Sequence, residues 1–203
     1  IGGTDVSFET VQFYMANMAL LKDDGTTFDW NNLYVLAQPE TGTLDLEQFL
    51  VANYTALQFE VGIDAATNAE CETNLTTLPA TNPLSQQTPA MNAGASLTGS
   101  TGYLFVRIDG DVDTDGDGDP ETQMRFHLFT DPLLRSVSVP LSFSPSEVGN
   151  NLNLNIDIAA LFNGIDLSQD NFTMTIQGFT GTMSPQNLAN AVADNVPNAF
   201  SVD

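Results

Sequence analysis

Positive charge is what this sequence lacks most. Its 203 residues hold four Lys and Arg residues against 26 Asp and Glu, for a net charge of -22 and a pI of about 4.1. A nucleic-acid partner is excluded on these grounds, because phosphate binding draws on Lys and Arg. An anionic membrane surface is disfavoured for the same reason. No apolar run approaches the roughly 20 residues that a spanning helix needs, so no membrane insertion is expected. Cys71 is the only cysteine; no internal disulfide can form. The thiol either pairs between molecules or stays free. His127 is the only histidine and Trp30 the only tryptophan. No signal segment is visible and Ile1 is not a start residue, which suggests a mature or trimmed product. Low Lys and Arg content with abundant Ser, Thr, Asn and Gln fits a secreted chain, extracellular or on the cell surface, with the periplasm as the alternative.

What is present is a row of carboxylates. Aspartates occupy every second position from Asp109 to Asp119, namely Asp109, Asp111, Asp113, Asp115, Asp117 and Asp119, and Glu121 continues the series. Two carboxylates about 4 Å apart repel by about 1 kcal/mol even in water, and the chain has too few cations to neutralise the row. Calcium accepts six to eight oxygen ligands in flexible geometry, and Gly116 and Gly118 allow the turns that would wrap an ion. The match to an EF-hand loop is partial. Asp111, Asp113, Asp115 and Gly116 fit its start, but Thr122 stands where its closing Glu belongs. Both flanks read as strands, so the expectation is a calcium loop over 109–121 at a hairpin tip. The competing expectation is a solvated acidic loop with no ion.

Elsewhere period two dominates. Val11, Phe13 and Met15 alternate with Gln12, Tyr14 and Ala16. Leu57, Phe59 and Val61 alternate with Gln58 and Glu60. Further strands are expected at Leu33–Val35, Tyr103–Ile108, Met124–Phe129, Val137–Phe143, Leu152–Ile158 and Phe172–Ile176. Lys22–Gly25 reads as a turn, and Pro140 marks an edge strand. Asp45–Ala52 reads as a short helix. Ser184-Pro185 opens another, running to about Asn195 with Leu188, Val192 and Val196 on one face. Residues 65–101 read as a long polar loop. It carries a sequon at Asn74, with others at Asn53 and Asn171. The expectation is one mainly β domain over 1–203, an antiparallel β-sandwich with one or two short helices, including a C-terminal one.

Ordered motifs point to a family. Phe13-Tyr14-Met15-Ala16-Asn17, Phe59-Glu60-Val61-Gly62-Ile63-Asp64 with Asn68, and Gly102-Tyr103-Leu104-Phe105-Val106-Arg107-Ile108-Asp109-Gly110 come first. Phe126-His127-Leu128, Asn155–Phe162 and Asp194–Ser201 follow. In this order they resemble the MbnP-like proteins over nearly the whole chain. The resemblance implies an exported bacterial β-sandwich and copper binding. In relatives from methane oxidisers, histidines and a tryptophan oxidised to kynurenine hold the metal. Here Leu97 and Gly99 stand where those tryptophans would fall, and His127 alone remains as a possible copper ligand. One imidazole makes no tight copper site, and the six Met residues read as core.

No nucleophile elbow or phosphate loop is present, so an enzyme is not expected. The resemblance also implies a strand before Phe13 that only Ile1–Val6 could supply. A missing strand would leave an open edge for Thr4–Val11 of a second copy. The leading expectation is therefore a non-catalytic, extracellular calcium-binding sandwich that self-assembles as a filament or surface subunit, its partner being itself. The alternative is an exported copper-binding or copper-sequestering protein with an altered site.

Overall fold

The computed structural model describes residues 1–38, 50–85, 91, 102–145, 151–168 and 185–203. Strand β1 runs from Val6 to Lys22, well beyond the usual 3–10 residues. Its β-branched and aromatic residues suit a pleated, packed surface. Strands β2 (Thr27–Asp29), β3 (Tyr34–Ala37), β4 (Tyr54–Val61), β5 (Val106–Val112), β6 (Thr122–Leu128) and β7 (Arg135–Phe143) join it in one seven-stranded antiparallel sheet. Its main path is β6-β5-β1-β4-β7, and β2 and β3 also pair with β1. Strand β5 pairs with Val6–Phe13 and β4 with Met15–Lys22. The two meet at Tyr14, whose N–H donates to Phe105 O and whose carbonyl accepts the N–H of Gly62. A bulge follows, where Asn17 adopts φ 51° and its amide donates to Glu60 at 2.6 Å.

A second, two-stranded sheet pairs β8 (Leu154–Ile156) with β9 (Phe200–Val202). It packs on the inner face of the large sheet. Phe200 meets Phe13 edge-on at 5.6 Å and Phe59 at 5.0 Å. The C-terminal helix, Pro185–Asn195, buries Leu188, Val192 and Ala193 in the same core, and Val196 follows them inward. Arg135 fixes the helix to β7 through Asp194 at 2.6 Å. The architecture is the expected mainly β antiparallel sandwich, with sheets of very unequal size. Strand β7, which carries Pro140, ends the path as foreseen.

Four expectations need correction. The outer face of β1 is not polar throughout: Tyr14 and Ala16 are fully buried. A second apolar cluster of Tyr14, Ile63, Cys71, Leu84, Met91, Tyr103 and Phe105 covers it. Residues 65–101 are accordingly not one loop. They open with two short helices, α1 (Ala65–Ala69) and α2 (Cys71–Thr77), with the Pro185–Asn195 helix following as α3. Asp64 caps α1 by accepting the N–H of Thr67 at 3.0 Å. Thr4–Val11 is not a free strand, because Val6, Ser7 and Phe8 already pair with Val112, Asp111 and Gly110 of the same chain. Finally, β5 continues through Asp109 and Asp111 to Val112, so the hairpin tip begins later than the row of aspartates does. The strand expected at 172–176, most of the helix at 45–52, Ser184, Asn171, and Leu97 and Gly99, where the resemblance would put tryptophans, lie outside the described residues.

Candidate metal loop and the neighbouring histidine

The β5–β6 hairpin divides the acidic row in two. Cross-strand register sets Asp109 opposite Arg125 and Asp111 opposite Gln123, so both sit on the ladder rather than in the loop. Asp109 is only 6% exposed. Its Oδ2 accepts Nε–H of Arg107 at 2.6 Å and its Oδ1 lies 2.8 Å from Nε2 of His127. Burial alone would raise the Asp109 carboxyl. The hydrogen bond and charge of His127, then those of Arg107, outweigh it and hold the group below its ordinary range.

The tip itself is a tight acidic turn. Asp113, also 6% exposed, accepts Gly116 N–H at Oδ1 (2.7 Å) and Gly118 N–H at Oδ2 (2.8 Å). Those two bonds hold its carboxyl low. Gly116 and Gly118 take φ of 82° and 92°, a region side chains rarely adopt. Asp115 accepts the N–H of Asp117, and Asp117 that of Asp119. Glu121 accepts the Thr114 hydroxyl at 2.9 Å and the Thr122 hydroxyl at 3.2 Å. The Thr114 bond leads in lowering its carboxyl. Carboxylate oxygens of Asp113, Asp115, Asp117 and Glu121 lie within 4.8 Å of one another. These four of the seven expected calcium ligands converge. Asp109 and Asp111 are on the strand, and Asp119 stands outside the group. Each carboxylate oxygen has two lone pairs, so the backbone bonds that shape the turn leave acceptor capacity for a hard cation.

Sequence spacing foresaw the carboxylates but not their support. Thr114 and Thr122 orient Glu121, and they meet each other at 2.8 Å. Asp113 N–H donates to Asp5 O, which ties the loop to the chain's start. The Arg107, Asp109 and His127 group was also missed. Its signal was available: Arg107 and Asp109 are two apart on a strand whose other face is Val106 and Ile108.

The remaining candidates fall into place. Met15, Met18, Met91 and Met124 are all buried in apolar clusters, and Met174 and Met183 lie outside the described residues. Trp30 packs edge-on against Phe28 at 5.2 Å. Cys71 is buried, and desolvation pushes its thiol up to about 11. An intermolecular disulfide would require it to leave the core. No helix among the described residues is long and apolar enough to cross a membrane.

No curated protein matches the sequence. Among solved structures, MbnP from Methylosinus trichosporium aligns at 14% identity and a TM-score of 0.42, covering 79% of this chain and 68% of that one. The family model for MbnP matches residues 2–177, and with so much of the sequence matched the chain belongs to the MbnP family.

Proposed function

We propose that this chain is a non-catalytic, exported metal-binding domain whose hairpin tip takes calcium. The observation that carries this is the convergence of four carboxylates, Asp113, Asp115, Asp117 and Glu121, within 4.8 Å on one glycine-shaped turn. Hard oxygen donors of this kind suit calcium rather than softer transition metals. The ion would offset repulsion among these groups and pin Asp113, and through it the start of the chain at Asp5. Calorimetric titration of EDTA-stripped protein tests the reading. A saturable calcium isotherm that Asp115→Asn weakens supports it, and a flat isotherm refutes it.

Copper is the second reading, and family membership favours it, since MbnP proteins are associated with copper. Its ligand here would be His127. Asp109 sits on Nε2 of that ring, an arrangement that elsewhere orients a metal-bound imidazole through its other nitrogen. Among the described residues no softer donor stands ready to complete such a site, because the four described methionines and Cys71 are in the core. Elemental analysis of purified protein separates the two metals. Self-assembly loses its strand-exchange basis, since Val6–Phe13 is already paired within the chain. Sedimentation at high protein concentration with calcium tests any other route to a filament.

A further inference from the structure

Cations are scarce in this chain, yet they are not scattered. Of four Lys and Arg residues and one His, Arg107, Arg125 and His127 share the outer face of the β5–β6 hairpin, opposite the buried Val106, Ile108, Phe126 and Leu128. Register places Arg107 beside His127 and Asp109 beside Arg125, so their Cβ atoms lie about 4.5–5.5 Å apart. A carboxylate as buried as Asp109 is unfavourable on the outer face of a sheet unless its neighbours use it. Here both of its oxygens are committed, one to Arg107 and one to His127.

The way Arg107 is held matters more than the pairing. Asp109 takes Nε alone. Among the described residues neither Nη atom of Arg107 has a hydrogen-bond partner, and the side chain keeps 25% exposure. Arg135 is the contrast: its Nε, Nη1 and Nη2 are all engaged, by Asp194 and by the carbonyls of Pro132 and Leu134. Arg135 is a structural clamp. Arg107 is a guanidinium fixed at its inner edge with its outer fork unengaged, and such a fork matches a carboxylate bidentately.

We propose that this face is an anion seat. Arg107, positioned by Asp109, receives a small carboxylate end-on through Nη1 and Nη2, beside His127 and Arg125. Charge on the face supports a monoanion: Arg107 and Arg125 offset Asp109 and Asp111, so a carboxylate meets no local excess of negative charge. More distant acids are screened over about 8 Å at physiological salt. A phosphate dianion suits this balance less well.

Amide chemical shifts followed during a sodium acetate titration, against sodium chloride at matched ionic strength, test the proposal. The expected result is saturable movement confined to β5 and β6 with acetate and none with chloride. Arg107→Lys keeps a cation beside Asp109 but removes the fork, and should weaken acetate binding about tenfold or more. Arg135→Lys should leave it unchanged. Absence of saturation in the unmodified protein overturns the proposal. So do equal shifts with chloride, full binding by Arg107→Lys, or tighter binding of phosphate than acetate. The comparison of acetate with chloride decides the matter even if a variant fails to fold.

Discussion

Replacing Asp109 with Asn separates two roles that the acidic row runs together. If Asp109 were a calcium ligand, Asp109→Asn would weaken the ion and little else. The structure instead makes it the shared partner of Arg107 at 2.6 Å and His127 at 2.8 Å. Removing one member of a fully buried ion pair costs about 3–5 kcal/mol. Arg107 and His127 retain 25% and 23% side-chain exposure, and water screens part of that loss. An expected penalty of about 2 kcal/mol follows. At about 2–4 °C per kcal/mol for a chain of this size, the melting temperature should fall by about 4–8 °C at neutral pH.

The pH dependence fixes the cause. The folded carboxyl of Asp109 lies below its ordinary value. Its contribution is therefore complete above the unfolded value, about 3.9, and is lost as pH falls through the lower folded value. The part of the gap that this carboxyl contributes should be complete above the unfolded value and narrow as pH falls below it. Urea melts read the gap at each pH, and a calcium titration of both proteins completes the assay. A change under about 0.5 kcal/mol, the usual scale of a neutral surface substitution, would refute the reasoning. So would a large loss of calcium affinity with stability intact.

Other consequences can be measured directly. Calcium at a hundredfold excess over its Kd should stabilise the protein by about 2.7 kcal/mol; EDTA should reverse this, and an unchanged melting curve counts against the loop as a calcium site. A Cβ at Gly110 would lie 2.1 Å from Ser7 O, so Gly110→Ala should separate β1 from β5 and cost about 3 kcal/mol or more, read by urea denaturation. Phe200→Ala removes the edge-on contacts to Phe13 and Phe59 and should cost about 3 kcal/mol by the same assay. Cys71, buried with its thiol raised to about 11, should resist an aromatic disulfide reagent in the native state and react fully in denaturant.

How much of this was legible in the sequence depended on which neighbour decides each residue's place. Alternation along a strand is local, so β4, β5, β7 and the polar-out pattern around β8 could be read from Leu57, Ile108, Val139 and Leu154. Tyr14 could not, because what buries it is the layer of Cys71, Leu84, Met91 and Tyr103, far along the chain. The same holds for α1 and α2. Their residues carry no 3.6-residue apolar period, and only α1 has a side-chain cap, at Asp64. In the acidic row the limit was different. Equal spacing made seven carboxylates look equivalent, but a strand points them to one face while a turn gathers them to one point. What sorts them is where the ladder stops. Val112 still pairs with Thr122 and with Val6, whereas Asp113 turns inward onto the N–H groups of Gly116 and Gly118. Residues before that boundary answer to neighbours on their face of the sheet, as Asp109 does to Arg107 on its own strand and to His127 on the next. Those after it answer to one another, and only there can an ion be shared.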